Sequence, residues 1–294
     1  MYLTISLQRR KHILACTEPT GEHILEIDLE AFQVYLLKRN MSQNTISVYV
    51  YAVRQFFRSY KQIIPANLQL YKVFLLEHYK PQTVNLRIRA LNCYMEYLQY
   101  SDSKISMIRV QQKMYLDRII SQADYEYLKR RLWEDEEYTY YFVIRFMTAT
   151  GVRVSEVIKF QIEDVFAGIK DIYSKGNKMR RIYIPSALRK AALQWLQAEN
   201  RKKGPLFLNR FANPISASGI RSQLKTFAVR YNIPSDVMYP HSFRHRFAKN
   251  FIEKSGDIAL LSDLLGHESI ETTRIYLRRS SSEQYRIVNK VVDW

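Results

Sequence analysis

Apolar residues recur at helical spacing through most of the chain. From Asp28 the residues Leu29, Phe32, Tyr35 and Leu36 fall on one stripe of a helix. Ile46, Val50, Val53 and Phe57 do the same over residues 43–60, behind a start, Ser42-Gln43-Asn44-Thr45, rich in capping side chains. A third helix is expected over residues 67–78. Pro81 suits the first turn of a fourth, over residues 82–100. Residues 28–104 therefore read as a small helical domain. The polar, weakly periodic stretch 101–114 marks its boundary, with a linker at 105–114.

Beyond the linker, residues 115–294 read as a second domain with a C-terminal tail. Ser121-Gln122-Ala123-Asp124 has capping-box spacing, with Asp in place of the usual Glu or Gln. A helix over residues 137–150 is broken by Gly151, and another starts near Ser155. Residues 171–174 and 179–184 are β-prone and flank the turn Lys175-Gly176-Asn177-Lys178, which reads as a hairpin. Ser186 can cap a helix over residues 187–199. Residues 205–208 are a short strand at best. Further helices are expected at 217–231, 242–254, 258–265, 270–279 and 283–291. The fold class is thus mainly α with a small β-hairpin, an α+β arrangement. Residues 1–27 are irregular in pattern and read as an extension of unknown role.

Composition narrows the function. The chain has 294 residues, of which 47% are hydrophobic, enough for real cores in one large or two medium domains. Two cysteines, Cys16 and Cys93, cannot make a disulfide framework or a Cys-rich zinc site, which suits a reducing, intracellular home. Arg9-Arg10-Lys11 precedes the short apolar run 13–16 but follows the N-terminal one, an order unlike a signal peptide. No charge-poor apolar stretch reaches the about 18 residues that a membrane span needs. The formal net charge is +17. It points to a polyanion, with nucleic acid as the first candidate and an anionic membrane surface as the second. The excess is shared: 13 basic and 8 acidic residues lie in residues 1–104, and 32 and 20 in residues 105–294.

Several chemistries have no footing in the sequence. It holds no phosphate-binding Gly-x-x-x-x-Gly-Lys-Ser/Thr loop, no dinucleotide fingerprint, no His-Glu-x-x-His and no Gly-x-Ser-x-Gly elbow. Neither a metal nor a cofactor is expected. What remains is a scattered set of basic and hydrogen-bonding residues. Arg153 follows a helix break, and Glu156 three residues on can hold its guanidinium. Lys175 sits at a hairpin turn. His241 and Arg244 share a helix face. His267 follows Gly266, and Tyr276 lies nine residues later. Taken singly, each is as easily a cap, a solvated charge or a packing residue.

Together these residues resemble a known set. Thr150-Gly151-Val152-Arg153-Val154-Ser155-Glu156 resembles the Gly-x-Arg-x-Ser-Glu segment of the tyrosine recombinases, the phage integrase and Xer family. Ser174-Lys175-Gly176-Asn177-Lys178-Met179-Arg180 is similar to that family's hairpin, with Ser replacing its first Gly. Pro240-His241-Ser242-Phe243-Arg244-His245 resembles its Pro-His-x-Leu-Arg-His box, with Phe243 for Leu and Arg246 where a small Ser or Thr is common. The run from Leu264-Leu265-Gly266-His267 through Thr273 to Tyr276 resembles its Leu-Gly-His box. Order and spacing agree over residues 115–285. Asn44-Thr45, Tyr49 and Phe56-Phe57 look like the family's core-binding domain.

The resemblance implies a helical core-binding domain and a catalytic domain that clamp double-stranded DNA. It implies a 3′-phosphotyrosine intermediate, a Holliday junction, and a homo-tetramer on two DNA sites. Tyr276 is then the nucleophile, Arg153 and Arg244 the phosphate clamps, and Lys175 the acid for the leaving 5′ oxygen. His241 is the base or hydrogen-bond partner of the tyrosine, His267 a donor to phosphate, and Glu156 their support. Arg54, Arg58, Arg87 and Arg89 are phosphate candidates in the first domain, and Arg246 either adds a phosphate contact or faces solvent. No membrane partner is implied, the location is cytoplasmic, and accessory proteins stay unspecified. Two other readings share many of these residues: a type IB topoisomerase-like nicking-closing enzyme, and a non-catalytic DNA-binding relative.

Overall fold

The computed structural model describes residues 28–100, 104–110, 118–173, 179–267, 269–277, 285 and 288–292. It is mostly helical, with one two-stranded sheet among the described residues. The chain divides into two compact units, Met1–Gln112 and Lys113–Trp294. The extension at residues 1–27 lies outside the described residues, as do residues 283, 284, 286 and 287 of the expected helix at 283–291.

The first unit holds α1 (Leu29–Lys38), α2 (Gln43–Ser59), α3 (Pro65–His78) and α4 (Pro81–Tyr97). Ser42 caps α2 by accepting a hydrogen bond from the Thr45 amide. Pro65 and Pro81 open α3 and α4, where a missing N–H costs nothing. Phe32, Leu36, Val50, Val53 and Tyr94 form one part of the core, and Phe56, Tyr71, Leu75, Ile88 and Met95 another.

The expected linker begins later than residue 105. Two asparagines on α4, two helical turns apart, hold the chain that follows it. Asn92 donates to the Ile105 carbonyl and accepts from its amide, both at 2.9 Å. Asn85 does the same to Ile108, again at 2.9 Å each way. Each side-chain amide thus mimics one rung of a β-ladder, and Ile105 is buried in the first unit's core.

The second unit comprises α5 (Gln122–Glu134), α6 (Tyr138–Thr150), α7 (Val154–Val157), α8 (Ile162–Ala167), β1 (Ile169–Tyr173), β2 (Met179–Tyr183), α9 (Ser186–Ala198), α10 (Ala217–Arg230), α11 (Pro240–Ser255), α12 (Ile258–Leu265) and α13 (Glu271–Arg274). The strands pair antiparallel, Ile169 opposite Tyr183 and Tyr173 opposite Met179. Short α8 has no counterpart in the sequence reading, because six residues carry too little periodicity. Ser186 is inside α9, and Pro185 takes the cap position without a side-chain bond. Residues 205–208 form no strand, only isolated bridges from Pro205 to Gln161 and from Leu208 to Pro214. Ser121 does cap α5, but Asp124 accepts from its hydroxyl instead of closing the box onto its amide.

The core of this unit surrounds α6, whose Phe142, Val143, Phe146 and Met147 are buried. A smaller cluster joins Ala248 and Ile252 of α11 to Leu261 and Leu265 of α12. Gly151 ends α6 at φ 66, and a Cβ there would run into the Phe247 ring. That glycine lets α11 lie close against the break from which α7 starts. Among the described residues, no helix is long and apolar enough to cross a membrane.

Candidate active site

Arg153 occupies the cap position of α7, with the backbone of the Gly151 break behind it. Glu156, one turn in, binds it twice. One carboxylate oxygen accepts the Arg153 amide at 2.6 Å, and the other accepts Nη1 at 3.0 Å. The short helix therefore fixes both backbone and guanidinium of Arg153. From β2, Arg180 reaches the same carboxylate, Nη2 to Oε2 at 2.7 Å, and its Nη1 donates to the Leu265 carbonyl.

Arg244, on α11, is 3% exposed. Its Nη1 donates to the Gly151 carbonyl at 2.5 Å and its Nη2 to the Leu265 carbonyl at 2.7 Å. Two guanidiniums thus bind one carboxylate, and a third, Arg244, lies within its electrostatic reach. Burial, then Arg153 and Arg180, push the Arg244 guanidinium down to about 9. Desolvation likewise lowers Arg180. Such an excess of buried positive charge is the electrostatic complement of an anion. Arg153, Glu156, Arg180, His267 and Thr272 line the cleft beside it.

The histidines are sorted by what they touch. Arg244 Nη2 lies 3.1 Å from His267 Nε2. A guanidinium has no acceptor, so Nε2 accepts and the ring proton sits on Nδ1, facing the buried Thr273 hydroxyl at 2.8 Å. In this geometry His267 braces Arg244 through Nε2. Burial and the neighbouring arginines hold it down to about 4.

Tyr276 sits on a 3₁₀ turn, Ile275–Leu277, that follows α13 within the expected helix at 270–279. Its ring packs against the α11–α12 cluster, and burial pushes its hydroxyl up to about 12. The hydroxyl meets Nδ1 of His245 at 2.6 Å. The sequence reading gave that position to His241, one turn earlier on the same helix. His241 is instead exposed and faces the cations. Loss of water around its ring and the proximity of Arg244, Arg153 and Arg221 lower its pKa.

Residues 109–283 match the phage integrase family, which is more than half of the chain. The chain belongs to that family. It is 31% identical over 156 residues to the tyrosine recombinase XerD of Staphylococcus saprophyticus, covering 50% of this chain and 52% of that protein. The chain thus spans about half the length of that relative. A tyrosine recombinase of Agathobacter rectalis is 26% identical over 302 residues, covering 90% of this chain and 96% of its own. Among solved structures, the Tn1549 transposon integrase in complex with transposon right end DNA aligns with TM-score 0.70 at 16% identity, over 90% of this chain and 99% of that one. XerH recombinase bound to difH substrate aligns with TM-score 0.65 at 19% identity, over 89% and 82%. Both likenesses concern the fold.

Within this phage integrase fold, Arg153, Glu156, Arg244, His267 and Tyr276 share one region of the second unit. Lys175 lies outside the described residues. Arg246 neither faces solvent alone nor reaches outward. Its Nε donates to the Ile120 carbonyl at 2.8 Å, while Ser242 Oγ accepts the Ile120 amide at 2.8 Å. In the first unit Arg54, Arg58 and Arg89 are exposed, and Arg89 Nε also touches Met107 Sδ at 3.3 Å. Arg87 is held differently, its guanidinium 4.1 Å from the Tyr79 ring centre and 5.4 Å from that of Tyr51. Those ring contacts hold the guanidinium in place and leave its in-plane N–H groups as the edge a phosphate would meet. His245, Arg180 and Thr273 were not singled out from sequence, although each stands inside one of the four motif strings.

Proposed function

We propose that this family member is a site-specific tyrosine recombinase that breaks and rejoins double-stranded DNA. The observation that carries the reading is one phenol, Tyr276, in the same region as three guanidiniums, two of which bind the Glu156 carboxylate while the third, Arg244, is held by main-chain carbonyls. A free tyrosine titrates near about 10, so it needs a site that takes its proton or stabilises its anion. A phosphodiester under attack gains charge on its non-bridging oxygens. Arg153 and Arg244 supply planar donors for that charge without a metal ion. Arg180 and His267 keep those donors in place, and exposed His241 faces the phosphate side. Lys175, by its motif, protonates the leaving 5′ oxygen.

The resulting 3′-phosphotyrosine conserves the bond energy, so religation to another 5′ hydroxyl needs no nucleotide. Two such exchanges through a Holliday junction imply four protomers on two DNA sites. Residues 277–294 are then either a dock onto a neighbouring protomer or an intramolecular helix. Exposed Arg54, Arg58 and Arg89 contribute phosphate contacts, which give affinity and salt dependence instead of sequence choice. A cytoplasmic location suits such a substrate.

The test is covalent trapping on duplex DNA from the flanks of the gene, nicked so that cleavage becomes irreversible. A protease-sensitive, denaturant-resistant adduct is expected from the wild-type protein and none from Tyr276→Phe, which should still bind DNA. Relaxation of a plasmid lacking any preferred site would point instead to topoisomerase-like nicking and closing. DNA binding without adduct on any fragment would favour a non-catalytic relative.

A further inference from the structure

The chain enters the second unit lying along α11, the helix that carries Arg244. Three positions meet that helix in order. Arg118 Nε is 3.7 Å from Asp236 Oδ2, just before α11 begins. Ile120 is held from within the helix at both its polar groups. Ser242 Oγ accepts its amide at 2.8 Å, and Arg246 donates to its carbonyl through Nε at 2.8 Å and also through Nη2. Two residues on, Gln122 Oε1 accepts from Asn250 Nδ2 at 3.4 Å. Ser242 and Arg246 are one turn apart, so a single helix face grips one residue's amide and carbonyl. Ile120 and Ser242 are fully buried, where an unpaired backbone group is costly.

The far side of α11 bears on the candidate active site. Arg244 donates to the Gly151 carbonyl, and the Phe247 ring lies where a Cβ of Gly151 would be. At 3.6 residues per turn, Arg244 and Phe247 face away from Ser242 and Arg246. The helix is thus gripped on one side by the entering chain and seated on the other against the break from which α7 starts. We propose that Arg246 is a positioning residue for DNA cleavage. With Ser242 it fastens the entering chain to α11, and so fixes the seat from which Arg244 meets the phosphate. The assignment rests on the recombinase reading above.

The chemistry of the contact suits a fastening. Arg246 is half-buried, and burial lowers its pKa against the pull of Glu253 and Asp124. Its printed partner is a main-chain oxygen, and a charged donor makes the stronger bond to a carbonyl. Arg246 also departs from the small Ser or Thr of the motif around it, so this grip is a feature of the chain and not of the motif.

The experiment follows single-turnover adduct formation by the full chain at saturating nicked duplex. Folding is checked by circular dichroism, and DNA binding is measured across a range of salt. Arg246→Met keeps an unbranched stem and removes the donors, Arg246→Lys keeps one charged donor, and Ser242→Ala removes the other half of the grip. Arg246→Met is expected to cleave about 10- to 10²-fold more slowly, as for a small misplacement of the reacting groups. Its DNA half-saturation and salt slope should match wild type. Arg246→Lys should recover most of the rate, and Ser242→Ala should slow cleavage in the same sense. A Met variant at the wild-type rate would overturn the proposal, as would a Lys variant no faster than Met. So would a loss confined to binding with the salt slope reduced by about 0.9, the mark of one lost phosphate contact. Hydrogen exchange on the DNA-free chain gives a readout that needs no cleavage. In Arg246→Met, or in Ser242→Ala should that variant unfold, residues 118–122 and 241–248 should exchange faster together while α9 is unchanged. Faster exchange confined to 118–122 would show α11 seated without the grip and overturn the positioning role. A wild-type chain that forms no adduct on any duplex would overturn the recombinase reading instead, and the exchange comparison would still decide the grip.

Discussion

The two units bury polar groups on opposite principles. In the first, Asn85 and Asn92 are neutral, and each gives and receives one bond from the backbone they hold. No charge is buried, so the arrangement asks for no ion. In the second, Arg153 and Arg180 share Glu156 as their one carboxylate, and both donors of nearby Arg244 that reach protein oxygens fall on main-chain carbonyls. The positive charge is hydrogen-bonded but not neutralised. Satisfied geometry marks scaffold, and satisfied geometry with unbalanced charge marks a site that waits for an anion.

The sharpest way to break that contrast is at Glu156, which is 8% exposed. Glu156→Ala leaves three guanidiniums facing each other and should cost about 3–5 kcal/mol of unfolding free energy, read by urea denaturation. Glu156→Gln keeps the shape and loses the charge. If it proves as stable as wild type, charge balance does not hold the cluster together. Arg244→Lys keeps the charge and loses the fork that spans the Gly151 and Leu265 carbonyls. It should lower the rate of adduct formation by about 10²–10³, with DNA binding little changed.

Acid should also separate the two principles. His245 and His267 are held down to about 4, below the about 6.5 of an unfolded chain. Between those values the unfolded chain binds more protons than the native one. The stability tied to their neutral forms is therefore complete above about pH 6.5 and drains away as pH falls toward 4. His267→Gln should flatten that slope in denaturation curves taken across the window. An unchanged slope would remove His267 from the account.

The helices were largely legible because periodicity is a local signal. The helix at 258–265 coincides with α12, and α2 differs only at its last residue. The misses are places where local signal is thin or overruled. Six-residue α8 is too short to show a stripe. Ser186 looked like a cap, yet the fixed φ of Pro185 already turned the chain into α9. The site was legible as four strings, and those strings name Arg153, Arg244, His267 and Tyr276. They do not say which neighbour each residue meets. His241 and His245 are both on α11, and the choice between them depends on where the 3₁₀ turn delivers Tyr276, more than thirty residues later. Arg180 is equally silent in sequence, because its partners are Glu156 on α7 and a carbonyl at the end of α12.

The smallest effects belong to the neutral scaffold, and there the test is coupling. Asn85→Ala or Asn92→Ala strips a backbone amide and carbonyl of their partners and should cost about 1–3 kcal/mol each. With one asparagine left, the segment 104–110 stays in place and the orphaned groups stay poorly hydrated. With both gone, the segment can lift off α4 and water can reach all four groups, at the added expense of uncovering Ile105. The double variant should therefore lose less than the sum of the singles, by about 0.5 kcal/mol or more, in a double-mutant cycle read by denaturation. Strict additivity would mean that each amide holds its own isoleucine independently. The segment after α4 would then be two separate anchors instead of one clamped stretch.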